Sequence, residues 1–124
     1  FERLLRERPE TQYKDDAEKR ILAAKTQLAA TEIRLGLFLQ RQNNFEGAIA
    51  RYLRVVQEFD TTPYIEEGLY RLVESYLSIG LRSEAENYGK LLGKNYPNSE
   101  WYAQAYSILT ETRSADVSKN HVWY

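Results

Sequence analysis

Apolar residues recur along most of the chain at the spacing of an α-helix, not in the alternation of a β-strand. A stripe of this kind covers one face of a helix, which is then expected to pack along that face. The pattern predicts an all-α fold with helices at about 14–42, 44–59, 63–79, 83–95 and 99–112. The stripe of the first helix is Ala17, Ile21, Ala24, Leu28, Leu35 and Leu39, and that of the second is Phe45, Ile49, Tyr52, Val56 and Phe59.

Residues that stop or start helices separate these stretches. Asn43 and Asn44 end the first helix, and either one can cap the second. Gly80 ends the third, since glycine adopts the left-handed conformation of a helix C-terminus without strain. The other predicted helix starts are Thr62-Pro63 and Ser83 with Glu86.

One helix-pair motif occurs twice, over residues 35–60 and 71–97. In each copy a long apolar helix meets a short turn, and an alanine, Ala48 or Ala85, then opens a second helix. Small and large residues alternate in this way in tetratricopeptide repeats, whose period is about 34 residues. We therefore predict a tetratricopeptide-repeat (TPR) superhelix of antiparallel helix pairs, with Ala48 and Ala85 buried. The matching positions are Leu35, Gly36, Ala48, Tyr52, Val55 and Asp60 in the first copy, and Leu72, Tyr76, Gly80, Ala85, Leu92 and Pro97 in the second.

A helix-end pattern that occurs three times sets the expected domain organisation. Residues 1–112 form one repeat array, and residues 113–124 follow as a tail that we expect to be flexible. Within it, 114–120 is polar and expected to be frayed, whereas the two aromatic residues of the final HVWY could also dock on the array. Because the chain starts without methionine and inside a helix, we expect a fragment, with any signal peptide or lipid anchor upstream. Within the array we assign 1–10 to the end of a preceding repeat helix, 14–60 and 63–97 to repeats, and 99–112 to a capping helix.

Composition argues against several classes of function. The 124 residues carry 17 lysines and arginines against 18 aspartates and glutamates, so the basic surplus of a nucleic-acid-binding protein is missing. There is no cysteine, hence no thiolate nucleophile and no zinc–thiolate site. No apolar run approaches the roughly 18 residues of a membrane-spanning helix.

The titratable residues do not suggest an active site. Asp15-Asp16 and Glu66-Glu67 could be acid–base carboxylates or metal ligands. Each pair falls at a predicted helix start, however, where negative charge is stabilising without any ligand. His121 is the only histidine and has no partner cysteine. We therefore predict no catalytic residue, no metal site and no cofactor.

Aromatic side chains could stack on a peptide or on single-stranded nucleic acid, but most of them fall at core spacing, so packing is expected. Tyr64, Trp101 and Tyr102 lie at helix starts and are expected to be partly exposed. The tyrosines at core spacing are Tyr52, Tyr70, Tyr76, Tyr88 and Tyr106.

Arg51 and Arg54 lie on the less apolar side of the second helix. The residues alone leave open two interpretations, a solvated helix face or a contact with a partner. In both, we expect the guanidinium group of Arg51 to be unpaired and to reach solvent in the free chain.

Three segments carry a resemblance to a known family. They are PETQYKDDAEKRI at residues 9–21, the stretch from FLQRQNNFEGAIARY onward at 38–81, and KNYPNSEWYAQAYSIL at 94–109. Through them the chain resembles the C-terminal half of the BamD family, also called YfiO or ComL, of outer-membrane lipoproteins. Asn43-Asn44 replaces the common Arg-Gly or Lys-Gly turn of that family, which is expected to leave the fold unaffected.

The resemblance implies a five-repeat superhelix at the periplasmic face of the outer membrane, of which this chain is roughly the last half. It implies a non-enzymatic scaffold that supports the folding and insertion of β-barrel proteins and reaches the membrane only through a lipid anchor outside this chain. The implied partner is the barrel-proximal POTRA domain of BamA, with other assembly-machinery lipoproteins and unfolded outer-membrane proteins as further partners and no nucleic acid. The family's A-[IV]-x-R-[FY] segment places the POTRA-contacting arginine at Arg51, and Arg54 is expected to contribute less.

Two other functions fit parts of the sequence. One is a generic TPR adaptor that binds peptides in the cell envelope. The other is a hydrolase with a helical accessory domain. The sequence upstream of residue 1 would separate these possibilities from the scaffold.

Overall fold

Five helices follow one another along the chain in a computed structural model, which describes the backbone of residues 2–122 and the side chains of residues 10–112. The described residues contain no strand. Connections at 42–44, 59–64, 79–81 and 96–99 are short, so consecutive helices pack side by side, and α3 also packs against α5. The predicted all-α fold of TPR-like helix pairs is confirmed. The helices are α1 (Glu2–Arg41), α2 (Phe45–Glu58), α3 (Ile65–Ser78), α4 (Arg82–Asn95) and α5 (Glu100–Val122).

Two groups of buried side chains make up the core. The first joins α1, α2 and α3, and the second joins α3, α4 and α5. Ala48 and Ala85 are both fully buried, as predicted. Gly36 also allows a close approach between helices, because a Cβ atom there would overlap the ring of Tyr52. The first group is Ala29, Ile33, Ala48, Ile49, Tyr52, Val55, Phe59 and Leu72; the second is Ile65, Leu69, Tyr70, Val73, Ala85, Leu92 and Ala105.

Left-handed residues end α1 and α3. Asn43 has a φ of 62° and Gly80 a φ of 81°. After α3, the N–H of Leu81 donates to the carbonyl of Tyr76 at 2.9 Å, and that of Gly80 to Leu77 at 3.1 Å, which together form a Schellman motif. After α1, the N–H of Asn44 donates to the carbonyl of Leu39 at 2.8 Å and that of Asn43 to Gln40 at 3.0 Å, which is the same pair of bonds. Both predicted helix ends are therefore confirmed, with asparagine taking at one the conformation that glycine takes at the other.

The starts of α2 and α4 differ in how they are capped. The side-chain oxygen of Asn44 accepts the N–H of Gly47 at 3.0 Å, which confirms an asparagine cap for α2. The predicted capping box at Ser83 is wrong, since Ser83 lies inside α4 and the N-cap is Leu81. Leu81 is also the last residue of the Schellman motif, so the chain enters α4 directly from that turn.

The turn at 59–64 delays the start of α3. Thr62 was expected to cap the helix with Pro63 as its first residue, but α3 begins at Ile65. The Thr62 hydroxyl instead donates to the carbonyl of Phe59 at 2.7 Å and is buried in the turn. The predicted cap is wrong because this hydroxyl already closes the preceding turn.

α1 is longer than the sequence predicts. It runs unbroken from Glu2 to Arg41 and includes Pro9. The sequence instead predicted a boundary between residues 10 and 14. A proline within a helix removes one backbone donor and crowds the carbonyl four residues before it, so Pro9 weakens α1 locally without ending it. The residues around it are mostly good helix formers such as arginine, glutamate and glutamine. The predicted boundary is therefore wrong, whereas the division of the chain into repeats stays a prediction.

The buried face of α1 also differs from the predicted stripe. Ile21, Leu28 and Leu35 are exposed by 55%, 54% and 41%, whereas Ala29 and Ile33 are buried. α2 has 14 residues against 40 in α1, so it can cover only part of that helix. The apolar stripe predicted the helix correctly but not the face that the rest of this chain covers.

α5 extends beyond its predicted end at residue 112. It continues to Val122 through a segment that was expected to be a frayed tail. That segment has neither proline nor glycine, so nothing in it interrupts the helix. Trp123 and Tyr124, the last two residues of the tail, lie outside the described residues. No helix in the described part of the chain is both long and apolar enough to cross a membrane.

Candidate partner-binding site

The two arginines singled out from the sequence lie together on the outer side of α2. Arg51 and Arg54 are one helical turn apart, and their side chains are 40% and 53% exposed. They lie beside the apolar, buried face of the same helix and not on it. The buried residues of α2 are Ala48, Ile49, Tyr52 and Val55.

Glu32 on α1 joins the two arginines. Its carboxylate lies 3.3 Å from Nη1 of Arg51 and 3.4 Å from Nη1 of Arg54, and only 11% of its side chain is exposed. Arg54 makes a second ion pair with the exposed Glu58, Nε to carboxylate, at 3.4 Å. The expectation that Arg51 is unpaired in the free chain is therefore wrong, because α1 brings a carboxylate beneath it.

The sequence contained a weak signal for Glu32. It lies between Ala29, Ile33 and Gly36, all of them buried, so it is a charged residue on the covered face of α1. The predicted stripe ran along a neighbouring face, and Glu32 therefore looked like an ordinary solvated residue. A carboxylate is seldom buried without a partner, so its correct placement would have directed attention to the arginines of α2.

Arg51 keeps one side of its guanidinium free of partners within the described residues. Only its Nη1 bonds to another side chain, whereas Nε and Nη2 donate to none. These two nitrogens form a planar fork that can hold a carboxylate at two points. Arg54 differs because Nη1 is bonded to Glu32 and Nε to Glu58, so one prong of its fork is taken. Of these two arginines, Arg51 is therefore the one that keeps a complete carboxylate-binding fork.

The two acidic pairs have different surroundings. Glu66 and Glu67 lie in the first turn of α3, as predicted, and Glu67 also binds Arg71 at 3.2 Å. Asp15 and Asp16 are exposed, and the explanation that they start a helix is wrong, because α1 begins at Glu2. Within the described residues no three acidic or histidine side chains are grouped so as to hold a metal ion. His121 lies in α5, but its side chain is outside the part that the structure describes.

A second polar cluster, which the sequence did not reveal, connects α3 to its neighbours. Arg71 pairs with Glu74 at 2.9 Å and lies over the rings of Tyr70 and Trp101, with its Cζ 5.4 and 5.3 Å from the ring centroids. Glu74 also accepts a bond from Gln40 of α1 at 3.4 Å. Because its members bind one another, this cluster is suited to holding α1, α3 and α5 together rather than to receiving a ligand.

Burial and neighbouring charges shift the pKa values of Tyr70 and Arg71 in this cluster and of Tyr52 in the nearby core. Burial raises the pKa of Tyr70 to about 12, with help from Glu74, which also accepts the Tyr70 hydroxyl at 3.1 Å. Burial also raises the pKa of Tyr52 well above its usual value. Burial disfavours the charged form of Arg71, but bonds and charges from Glu74 and Glu67 outweigh it, so the pKa of Arg71 is raised. At neutral pH the two phenols are therefore uncharged and Arg71 is charged.

The tyrosines lie largely where core spacing placed them. Tyr52 and Tyr70 are buried, and Tyr76 and Tyr88 are half-buried and stacked, with ring centroids 5.6 Å apart. Tyr106 was expected in the core, but it is 62% exposed and lines an open groove between α4 and α5. Partial exposure is confirmed for the three aromatic residues at helix starts, Tyr64, Trp101 and Tyr102.

Comparison with known proteins gives a family match over most of the chain. Residues 1–92, which include Glu32, Arg51 and Arg54, match the family model YfiO, described as "Outer membrane lipoprotein". No solved structure gave a significant match.

Curated relatives agree with this family match. The chain is 40% identical over 109 residues to the outer membrane protein assembly factor BamD of Rickettsia prowazekii, which covers 88% of this chain and 43% of that protein. It is 39% identical over 103 residues to BamD of Caulobacter vibrioides, with 83% and 34% covered. The BamD of Xylella fastidiosa is 24% identical over 101 residues. The chain thus spans less than half the length of these relatives.

Proposed function

The chain belongs to the YfiO family of outer membrane lipoproteins, and we propose that it is a non-enzymatic scaffold in the assembly of outer-membrane proteins. Its relatives are named as assembly factors, and this chain corresponds to less than half of their length. Stacked helix pairs present long, rigid surfaces, which suit a protein that holds others in place. We assign it to the periplasmic face of the outer membrane, where such assembly takes place.

The partner that we propose is the POTRA domain of BamA nearest the barrel. The observation that carries this proposal is the Arg51 guanidinium, which is held at Nη1 by a nearly buried carboxylate, keeps Nε and Nη2 without a partner in the described residues, and belongs to a side chain that is 40% exposed. A planar guanidinium recognises a carboxylate at two points, which fixes orientation as well as charge. Arg51 is therefore the main contact to an acidic side chain of the partner, and Arg54 assists through its charge.

The test of this docking separates the shape of the guanidinium from its charge. Arg51→Lys keeps a cation next to Glu32 but removes the planar fork. We expect its binding free energy for the purified POTRA region of BamA, measured by calorimetric titration, to weaken by about 1.5–3 kcal/mol. This is the usual contribution of hydrogen bonds to a charged group. The free energy of unfolding should change by less than about 1 kcal/mol, since the ion pair can re-form.

Arg54→Lys is the matched control. It lies one turn away, carries the same charge and shares Glu32, but one prong of its fork is already bonded. Its binding should remain close to that of the wild-type chain. Equal affinities for wild type and Arg51→Lys would rule out the fork of Arg51 as the contact, and equal losses for both substitutions would show a non-specific charge effect.

A further inference from the structure

The site contains one residue whose role the docking proposal leaves unexplained. Glu32 belongs to α1, whereas both arginines belong to α2, so it reaches them across the helix interface. Its side chain is 11% exposed, and its neighbours on the same face of α1, Ala29, Ile33 and Gly36, are buried. It therefore cannot itself present much surface to a partner.

Stability alone is a weak reason for a charge at this position. Burial of a carboxylate costs desolvation energy, which an ion pair recovers only in part, and apolar residues of similar volume are often equally stabilising. Two arginines one turn apart on a helix also repel each other. Glu32 lies between them and bonds one nitrogen of each, at 3.3 and 3.4 Å.

The hydrogen bonds of Glu32 restrict the orientation of the Arg51 guanidinium. It binds Arg51 through Nη1, and this leaves Nε and Nη2, the two prongs of the fork, without a partner in the described residues. A free arginine side chain samples many rotamers, and ordering it at an interface costs binding energy. A guanidinium already held at Nη1 loses less of this freedom when a partner binds.

We infer that Glu32 is a positioning residue, which fixes the guanidinium of Arg51 with its fork directed away from the core, ready for a carboxylate of the partner. This inference rests on the proposed docking through Arg51. Glu32 does not touch the partner, and its effect on binding passes through Arg51 alone.

A double-mutant cycle tests this role, with the wild-type chain, Glu32→Gln, Arg51→Lys and the double variant titrated against the purified POTRA region of BamA. Glu32→Gln keeps the shape of the side chain but removes its charge. We expect it to weaken binding by about 5- to 20-fold, within the range of couplings between residues in contact. In the Arg51→Lys background, which has no fork to orient, the same substitution should have almost no further effect.

Two further variants serve as a control and as a second test of the positioning role. Glu58→Gln removes an exposed carboxylate whose one ion-pair partner among the described residues is Arg54, and it should leave the affinity within about 2-fold of wild type. Glu32→Met replaces the buried charge with an apolar chain of similar volume, a change that cores often tolerate, and should weaken binding as Glu32→Gln does. It serves as the second variant if Glu32→Gln does not fold.

The outcomes distinguish this inference from the docking on which it rests. If Arg51→Lys weakens binding but Glu32→Gln and Glu32→Met do not, the docking stands and the positioning role is wrong. Losses that add fully in the double variant would also overturn it, since Glu32 would then act independently of Arg51. If the wild-type chain does not bind, or Arg51→Lys binds equally well, both the docking and the positioning role fail.

Discussion

Replacing Arg51 with glutamate should destabilise the fold itself, because the new side chain would place a second carboxylate beside Glu32. In the wild-type chain the Arg51 guanidinium lies 3.3 Å from that nearly buried carboxylate. The sequence alone, which gives Arg51 no partner, predicts an almost unchanged melting temperature. The two expectations differ clearly enough to be separated by one measurement.

The expected loss of stability depends on how far Arg51 and Glu32 are each buried. Opposite charges 4 Å apart interact by roughly 4 kcal/mol at an effective dielectric constant of about 20. Solvent reaches 40% of the Arg51 side chain, so much of this attraction is screened. Exposed pairs contribute about 0–1 kcal/mol, and breaking a buried pair costs about 3–5 kcal/mol. Glu32 retains Arg54 in the variant, so we expect a loss of about 1–3 kcal/mol, between these limits.

The assay is unfolding of the wild-type chain, Arg51→Glu and Arg54→Glu by urea and by heat, each followed by circular dichroism at neutral pH. A loss of about 2 kcal/mol corresponds to a fall in Tm of roughly 5–10 °C for a domain of this size. Glu32→Gln should restore part of the stability lost in Arg51→Glu, because it removes one of the two facing carboxylates. If Arg51→Glu unfolds at the same urea concentration as wild type, or if Glu32→Gln gives no recovery, the ion pair does not form in solution.

Two further predictions concern the core and its titration. Ala48→Leu and Ala85→Leu should each cost about 1–3 kcal/mol, because both sites are fully buried and a larger side chain would have to displace its neighbours. Melting curves equal to wild type would contradict this packing. The contribution of Tyr70 to stability should be constant up to about pH 10, the usual pKa of tyrosine, and should be lost as the pH rises towards 12. Burial raises the pKa of Tyr70 to about 12, so its phenol loses its proton first in the unfolded chain. Unfolding free energies between pH 8 and 12 test this, with Tyr70→Phe expected to flatten the decline and an unchanged slope in that variant counting against it.

The Glu32–Arg51–Arg54 arrangement also bears on how the proposed docking would be tested by mutation. Charge reversal at Arg51 changes both the surface and the support beneath it, so lost binding would have two explanations. Arg51→Lys and Arg54→Lys preserve the cations that Glu32 needs, and they differ only in whether a complete fork was present. They are therefore the more informative pair of variants.

Local features of the sequence were sufficient for most helices and for two of the turns. Asn43 and Gly80 end helices because each can take a left-handed conformation, and that requirement depends on few neighbours. The burial of Ala48 and Ala85 also followed from the repeat, because a small residue at that position lets two helices approach closely. The family resemblance drew attention to Arg51, although its role in binding remains a proposal.

Only the tertiary structure decided which face of each helix is buried and which charged side chains form ion pairs. Ile21 and Leu28 have the spacing of a buried stripe, yet they are exposed because α1 turns a different face, that of Ala29 and Ile33, towards α2. Thr62 has the residue type of a helix cap, but its hydroxyl is used in the turn before α3. Glu32 and Arg51 are far apart in sequence, and neither the charge pattern nor the helix period could pair them. Their contact depends on the rotation of α1 against α2, which the packing of both helices determines together.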